Sequence, residues 1–590
     1  MANLNYLYRT WDTSRTLWVD GNFNGELSHI EDVIAPTLSR LPADIQRVLR
    51  RDLYGSLARA KNWADKYAAQ DKLAAEVAQF EAEALHIAFD NEEIQLRAER
   101  CAYACQRMQD FNLILEYCKQ HGIGFEPRAM ERSRIGCMNR ARDVGWWRRK
   151  LRHRFGQRAE NHLRKIGLVR RSQDIYISRL ARAQKQAQAR TLDRWIGERV
   201  VTSDDGIQLE LAEVVERSLA NCSIRRGELM KRMRGFEEIA QEEGHVSLFF
   251  TLTCPSAFHP ALDEGGLNPR FDGVTGVKGA QEWLTNIWSR TRARLDRRSI
   301  FYYGIRVAEP HHDGTPHWHM VLFTRETDAE PLSTILREMW LSEYHDEPGA
   351  RLHRVQVQPI DTAKGSATGY IAKYIAKNID GHEVGEDLEA GEGKGVDAKN
   401  SAPWAVMWAR FHRIRQFQQV GGPAIGVYRE LRRIRKPVKH RAIECAREGA
   451  EHESFASFIK AQGGIVVGRK TAVTLWREQT GEISKYEEIR LPQTAGVQCG
   501  AFQLRTRDKT WRIQRKEGMS QREGLSVDGA CTTEETGADR PAFQFSGSRP
   551  SLGPVTITVR SARIVPSERS GDIARVRTRA GHIRGSPWIN

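Results

Sequence analysis

The sequence predicts an α+β fold: a central domain with an antiparallel sheet flanked by helices, preceded by a mostly helical N-terminal region. Two observations carry this. Residues 1–240 hold long stretches rich in Ala, Glu and Leu whose apolar positions recur at helical spacing. Beyond residue 244, four short β-branched and aromatic runs alternate with helical stretches, an order that suits one sheet with helices packed on it.

The elements follow in chain order. "LAAEVAQFEAEALHIAFDNEEIQLRAERCAYACQRM" is free of Gly and Pro and reads as helix. A basic helical stretch runs from "GWWRRKLRHRFGQRAENHLRKIG" to "ARAQKQAQARTLDRW". Its Trp146 and Trp147 suit either base stacking or a core anchor. "HVSLFFTLT" (245–253), ended by "CPS", reads as a buried strand. "FYYGIRVAE" (301–309), "HWHMVLF" (317–323) and "HRVQVQPI" (353–360) are three more. Helices are expected at "GAQEWLTNIWSRTRARLDRR", "PLSTILREMWLSEYH" and "DTAKGSATGYIAKYIAKNI". Residues 380–402 are acidic and Gly-rich and read as a flexible loop, and a basic helical block spans 404–441. The expected division is a helical region 1–240, a central domain 241–440, a small β-rich region 441–516 and a disordered tail 517–590. "GGIVVGRKT" (463–471) imitates a phosphate-binding loop, but Arg469 breaks the spacing and strands are expected on both sides.

Composition narrows the class. The chain has 590 residues, 40% hydrophobic and 28% charged, which suits a soluble globular protein. No apolar run approaches the roughly 20 residues needed to cross a bilayer, and the N-terminus lacks a secretory signal, so a cytoplasmic protein is expected. Nine scattered cysteines do not form a disulfide framework. Cys101, Cys105, Cys118 and Cys137 read as small buried thiols in preference to a zinc site. The net charge of +16 is concentrated in two blocks. Residues 126–195 carry 20 Lys and Arg against six acids, and residues 405–441 carry ten against one. Clustered positive charge points to nucleic acid. Arg148, Arg149, Lys150, Arg432 and Arg433 are the candidate DNA contacts.

The chemistry concentrates in "RVAEPHHDGTPHWHMVLF". His317 and His319 are two apart on a predicted strand, so both lie on one face and can converge on one cation. "HDGTP" is a turn signal that folds "IRVAE" back beside "HWHMVLF" and brings Glu309 next to the pair. Two imidazoles and a carboxylate leave coordination positions open, as a catalytic metal requires. His311 and His312 fall in the turn and are expected to meet solvent or substrate. Alone, the His pair is equally a polar strand edge. In "TGYIAKYIAKNID", Tyr370 and Tyr374 lie one helical turn apart, Lys377 extends their face and Lys373 sits between them, with Ile371 and Ile375 on the side that seats the helix. Phenols become nucleophiles once a cation stabilises the oxyanion.

These three stretches, "FFTLTCPS", "EPHHDGTPHWH" and "YIAKYIAK", resemble in order the motifs of rolling-circle replication initiators, the endonucleases named HUH for His–hydrophobic–His. The chain resembles most the replication gene A proteins of tailed phages, over about residues 140–440. The resemblance implies origin nicking with a divalent ion, Mg or Mn, held by His317, His319 and Glu309. Tyr370 and Tyr374 would then attack the DNA strand in turn, with Lys373 and Lys377 near phosphate. It implies a 5′-phosphotyrosyl link, a free 3′-hydroxyl primer, later rejoining, a separate host helicase and replication machinery, and action in the bacterial cytoplasm. Relaxases and transposases of the same superfamily, and a non-catalytic metal-containing DNA-binding protein, are the alternatives. A metallohydrolase would leave the tyrosine pair without a role, and no H-E-x-x-H helix is present.

Overall fold

The computed structural model describes residues 38–516, apart from gaps at 40, 42, 60–62, 83–84, 264–265, 362, 388–395, 452–453 and 469, together with 558–560. The chain divides into two units, Met1–Gln173 and Asp174–Asn590. The expected disordered tail lies outside the described residues, except for a strand at Thr558–Arg560 that pairs with Thr510–Arg515.

The first unit is helical. Aspartates start three of its helices by accepting otherwise unpaired backbone N–H groups. Asp90 Oδ1 accepts from Glu92 and Glu93 at 2.9 Å, ahead of the helix Asn91–Gln106. The helix Val144–Lys165 carries the first basic stretch and buries Trp146, Trp147, Leu151 and Leu163. Trp147 Nε1 donates to the Ala141 carbonyl at 2.6 Å, and the two indoles meet edge to face. Of the two roles open to these tryptophans, the structure gives them that of core anchors. Cys101, Cys105, Cys118 and Cys137 are all buried in this unit.

The second unit is built on five strands: β1 (Val246–Leu252), β2 (Tyr303–Pro310), β3 (Pro316–Thr324), β4 (Val355–Pro359) and β5 (Phe417–Val420). Their order is β4-β1-β3-β2-β5, with every neighbouring pair antiparallel. The helices that matter for the site are α1 (Cys222–Glu243), α2 (Val277–Arg297), α3 (Glu326–Trp340), α4 (Ala367–Lys377), α5 (Ala398–His412) and α6 (Ile425–Leu431).

Helices cover both faces of the sheet, which is why β1 and β3 carry apolar residues on both sides. Leu248, Phe250, Trp318, Met320 and Leu322 pack with Leu284 and Trp288 of α2, Leu336 of α3 and Trp408 of α5. Phe249, Ile305, Val307, Val321 and Phe323 pack with Phe236 of α1, Ile371 and Ile375 of α4, and Leu431 of α6. Ile371 and Ile375 are fully buried, and each stabilises the seating of α4 by about 1.5–3 kcal/mol. An Asp at position 375 would unseat the helix. The N-terminus of α4 is also tied down. Ser366 Oγ accepts from Gly369 N–H at 2.9 Å, and the buried Glu237 of α1 accepts from Ala367 N–H and from the Thr368 hydroxyl, both at 2.6 Å. A carboxylate at that end also complements the helix dipole.

The structure departs from the sequence reading in several places. β5 lies inside the basic block read as helical, because "FQQV" is a short edge strand without alternation. α5 begins at Ala398, inside the stretch read as loop, where Asp397 Oδ1 accepts from Lys399 N–H at 2.9 Å and caps it. The strand Arg199–Ser203, in the region read as helical, pairs with Thr510–Arg515, a partner about three hundred residues away. Residues 441–516 open with two helices, Arg441–Glu451 and Phe455–Ala461, before the strands Thr474–Glu478, Gln493–Cys499 and Phe502–Arg505. Among its described residues the phosphate-loop imitation holds a 3-10 turn, Ile465–Val467; the helix Phe455–Ala461 precedes it, where a strand was expected, and a strand, not a helix, follows.

Candidate metal and nucleophile site

The β2–β3 hairpin sets the site. Its turn is closed by His311 N–H donating to the Thr315 carbonyl and Gly314 N–H donating to the His311 carbonyl, each at 2.8 Å. Asp313 Oδ1 accepts from Thr315 N–H at 2.8 Å, and Gly314 takes φ +80°, a left-handed conformation that glycine adopts without a Cβ clash. The resulting register pairs Glu309 with His317 and Val307 with His319. Period two then puts both imidazoles on the sheet face that α4 covers, and Trp318 on the other.

Three donor atoms converge there. His317 Nε2 and His319 Nε2 are 2.9 Å apart, and each lies 3.0 Å from Glu309 Oε1. All three residues are buried, and among the described residues they form the group of His, Cys, Asp and Glu able to hold a metal ion. Adjacent donors on a six-coordinate ion with bonds of about 2.1 Å are roughly 3.0 Å apart, so the triangle fits one face of such a sphere. Thr251 Oγ1 lies 3.2 Å from His319 Nδ1. If Thr251 Oγ1 accepts a hydrogen bond from Nδ1–H, the Nε2 lone pair faces the triangle, the tautomer a ligand needs. Burial would raise the Glu309 carboxyl. The Lys377 ammonium first, then the neighbouring imidazoles of His319 and His317, outweigh that in the metal-free protein and hold it well below the usual carboxylate range.

The tyrosine helix lies against this triangle. The Tyr374 ring sits 3.9 Å, centroid to centroid, from the His319 ring. Phe249 of β1 stacks on both, 5.5 Å from His319 and 5.2 Å from Tyr374, and its ring is 6.5 Å from that of Tyr370. Tyr370 is 39% exposed, whereas Tyr374 is half-buried. The two tyrosines therefore share an aromatic floor but differ in access to solvent.

The two lysines part company. Lys373 is exposed. Lys377 is buried, with Nζ 3.6 Å from Glu309 Oε1 and 3.1 Å from Asp387 Oδ1. Asp387 Oδ2 accepts in turn from the Tyr176 hydroxyl at 2.7 Å and the Ser401 hydroxyl at 2.6 Å. Tyr176 holds φ +69°, unusual for a bulky residue.

His311 and His312 stay outside the triangle. The His311 ring lies tilted 3.9 Å from that of His317, and burial, then the neighbouring His317 and His259, push its pKa well below the ordinary imidazole value. His312 Nε2 lies 2.8 Å from Asp263 Oδ1. Among the candidate DNA contacts, Arg149 is exposed on the helix Val144–Lys165, while Arg148 and Lys150 are half-buried. Arg432 is half-buried. Arg433 is 8% exposed, next to Glu430. Sequence reasoning missed Thr251, Phe249 and Asn378. The first two were detectable, since strand alternation from "FFTLT" puts them on one face beside a neighbouring strand.

Comparison with known proteins supplies the context. The family model described as bacteriophage replication gene A protein matches residues 65–382. The chain is 38% identical over 397 residues to the replication gene A protein of Escherichia phage 186, covering 65% of this chain and 56% of that protein. It is 36% identical over 428 residues to the replication gene A protein of Escherichia phage P2, covering 68% and 54%. It is 33% identical over 422 residues to a probable replication endonuclease from a prophage-like region of Salmonella paratyphi A, covering 68% and 52%. The chain thus matches a little over half the length of these curated relatives. No solved structure matches it significantly. With the family model spanning more than half of the chain, this protein belongs to the bacteriophage replication gene A protein family.

Proposed function

We propose that this protein is a phage replication initiator that nicks one DNA strand at an origin and later rejoins it. The observation that carries the reading is the contact between the Tyr374 ring and His319, one of three residues whose donor atoms converge within 3.0 Å of one another. Relatives named as replication endonucleases support it.

His317, His319 and Glu309 would hold a divalent ion. Their mixed nitrogen and oxygen set suits Mn better than Mg, which prefers oxygen donors. When bound, such an ion supplies Lewis acidity toward a phosphate oxygen. The chain's own residues do the rest. Tyr370 or Tyr374 attacks the scissile phosphorus: a bond from its phenolic oxygen to phosphorus forms, the bond to O3′ breaks, and the phenolic proton passes by way of solvent to O3′, which leaves as the 3′-hydroxyl. The 5′-phosphotyrosyl link conserves the phosphodiester energy, so the second tyrosine can resolve it without ATP. Phe249 holds both rings over the site, and the exposed Lys373 faces the solvent from which DNA arrives. The basic helix around Arg149 holds DNA, and unwinding past the nick falls to a host helicase.

The test is a nicking assay on supercoiled origin DNA with Mn or Mg, followed by denaturation and a search for protein on a 5′ end. Metal-dependent adducts lost only in the Tyr370→Phe, Tyr374→Phe double variant support two interchangeable nucleophiles. Loss in one single variant assigns the first attack. Tight origin binding without any adduct overturns the enzyme reading in favour of a non-catalytic DNA-binding protein.

A further inference from the structure

Asn378 caps the C-terminal end of α4, the helix that carries both tyrosines. It is fully buried, yet both side-chain heteroatoms are hydrogen-bonded. Its Nδ2 donates to Glu309 Oε2 at 2.6 Å and to the Tyr374 carbonyl at 3.0 Å. Its Oδ1 accepts from Gln416 Nε2 at 3.2 Å. A carboxylate and a carbonyl can only accept, so the nitrogen must face them, and the network fixes the amide's orientation. Glu309 is thereby divided: Oε1 faces the two imidazoles, and Oε2 is taken up by the tyrosine helix.

The division has a mechanical meaning. A carboxylate with one free oxygen can rotate about its last torsion and present either oxygen, or both, to an ion. With Oε2 pinned, one orientation remains, and that orientation is referenced to the backbone of Tyr374. The Asn378 amide bonds the carbonyl of the tyrosine's own residue, so any shift of Tyr374 along the helix axis pulls on Glu309. Gln416 stands just before β5, and its hydrogen bond keeps the amide from turning over. No charged group could replace Asn378 here: an acid would face Glu309 with like charge, and a base would compete with the ion.

We propose that Asn378 is a positioning residue that couples the metal centre to the tyrosine helix, so that an ion on Glu309 and order in α4 reinforce each other. The inference rests on the reading of Glu309, His317 and His319 as a metal centre. Linkage makes the coupling reciprocal: if the ion orders the helix, an ordered helix tightens the ion. Groups that hold a metal ligand in place typically change affinity by about 10–100-fold when removed.

The test uses the full chain and Mn²⁺ alone, without DNA. Mn²⁺ affinity is measured by calorimetry, and amide hydrogen exchange is followed across 367–377 with and without the ion. In the wild type, Mn²⁺ should slow exchange in α4. Asn378→Leu, with the same number of side-chain heavy atoms but no donor or acceptor, should bind Mn²⁺ about 10-fold or more weakly and lose the ion-dependent protection. Gln416→Leu, which leaves Asn378 in place but frees its amide, should move both readouts the same way by a smaller factor, and it serves if Asn378→Leu does not fold. Mn²⁺ binding within twofold of wild type in a folded variant, with protection of α4 unchanged, overturns the coupling. Absence of Mn²⁺ binding by the wild type, together with metal-independent nicking, overturns the metal reading itself.

Discussion

Replacing Lys377 by Met should destabilise the protein without altering its exposed surface, because the side chain is buried. The ammonium lies 3.6 Å from Glu309 Oε1 and 3.1 Å from Asp387 Oδ1, in a side chain 8% exposed. At an effective dielectric constant of about 20, charges at these separations attract by roughly 5 kcal/mol each. Desolvation offsets most of that. Removing one partner of a buried pair costs about 3–5 kcal/mol, because the other charge is left behind. Here both carboxylates keep neutral donors, Asn378 on one and Tyr176 with Ser401 on the other, so the lower end, about 3 kcal/mol, is expected. Urea unfolding of the metal-free protein, followed by tryptophan fluorescence, measures it. Lys373→Met is the control. Its side chain is exposed, and the change should stay within about 0.5 kcal/mol. Mn²⁺ supplies the missing positive charge beside Glu309, so it should stabilise Lys377→Met by more than it stabilises the wild type. A tenfold tighter site corresponds to about 1.4 kcal/mol. Equal stability of the two lysine variants, or equal stabilisation of Lys377→Met and wild type by Mn²⁺, would refute the reasoning.

Three further outcomes are expected. Thr251→Val removes the partner of His319 Nδ1 while keeping the strand's shape, and calorimetry should show Mn²⁺ affinity reduced by about tenfold with the fold intact. Glu430 is buried among Thr506, Arg507 and Arg433; burial would raise its carboxyl, but these partners hold it below its ordinary value of 4.5. Its contribution is therefore present above the ordinary carboxylate range and lost as pH falls through the depressed folded value. Glu430→Gln should be less stable near neutral pH and show a shallower loss on acidification, in denaturant titrations across that window. Arg149→Ala should lower the slope of log affinity against log salt for DNA by roughly 0.9, whereas Arg433→Ala, which empties a buried position, should lower stability and leave that slope alone.

What the sequence made legible was local and periodic. Two histidines at period two and a turn signal suffice to predict a hairpin, and the register then brings Glu309 to them. Two tyrosines four apart, with Ile371 and Ile375 on the seating side, predict α4 and its orientation. Long-range contacts left no trace in any short window. Asn378 reads as a helix cap and nothing more until Glu309, 69 residues earlier, is placed beside it. Lys373 and Lys377 look alike at helical spacing. The helix ends at Lys377, which tucks that residue beneath Glu309 and leaves Lys373 in solvent. Trp146 and Trp147 carry no local sign of burial, because the apolar surfaces that cover them come from other helices. β5 is recognisable only through its pairing with β2, since four residues with two glutamines fall below any periodic signal.

The five-residue turn between His311 and Thr315 has a consequence for how this protein can change over time. Its hydrogen bonds fix where β3 begins, and β3 is two-sided. Losing a single residue there would slide Trp318 and Met320 into the places of His317 and His319, gaining one would bring Pro316 and Trp318 there, and either would drive the imidazoles into the apolar layer beneath α2. A change of two residues would restore the face but carry His317 off Glu309. The length of that turn is therefore quantised and cannot drift as surface loops do. Sequences that keep the chemistry while differing almost everywhere else should still count the same number of residues from Glu309 to His319.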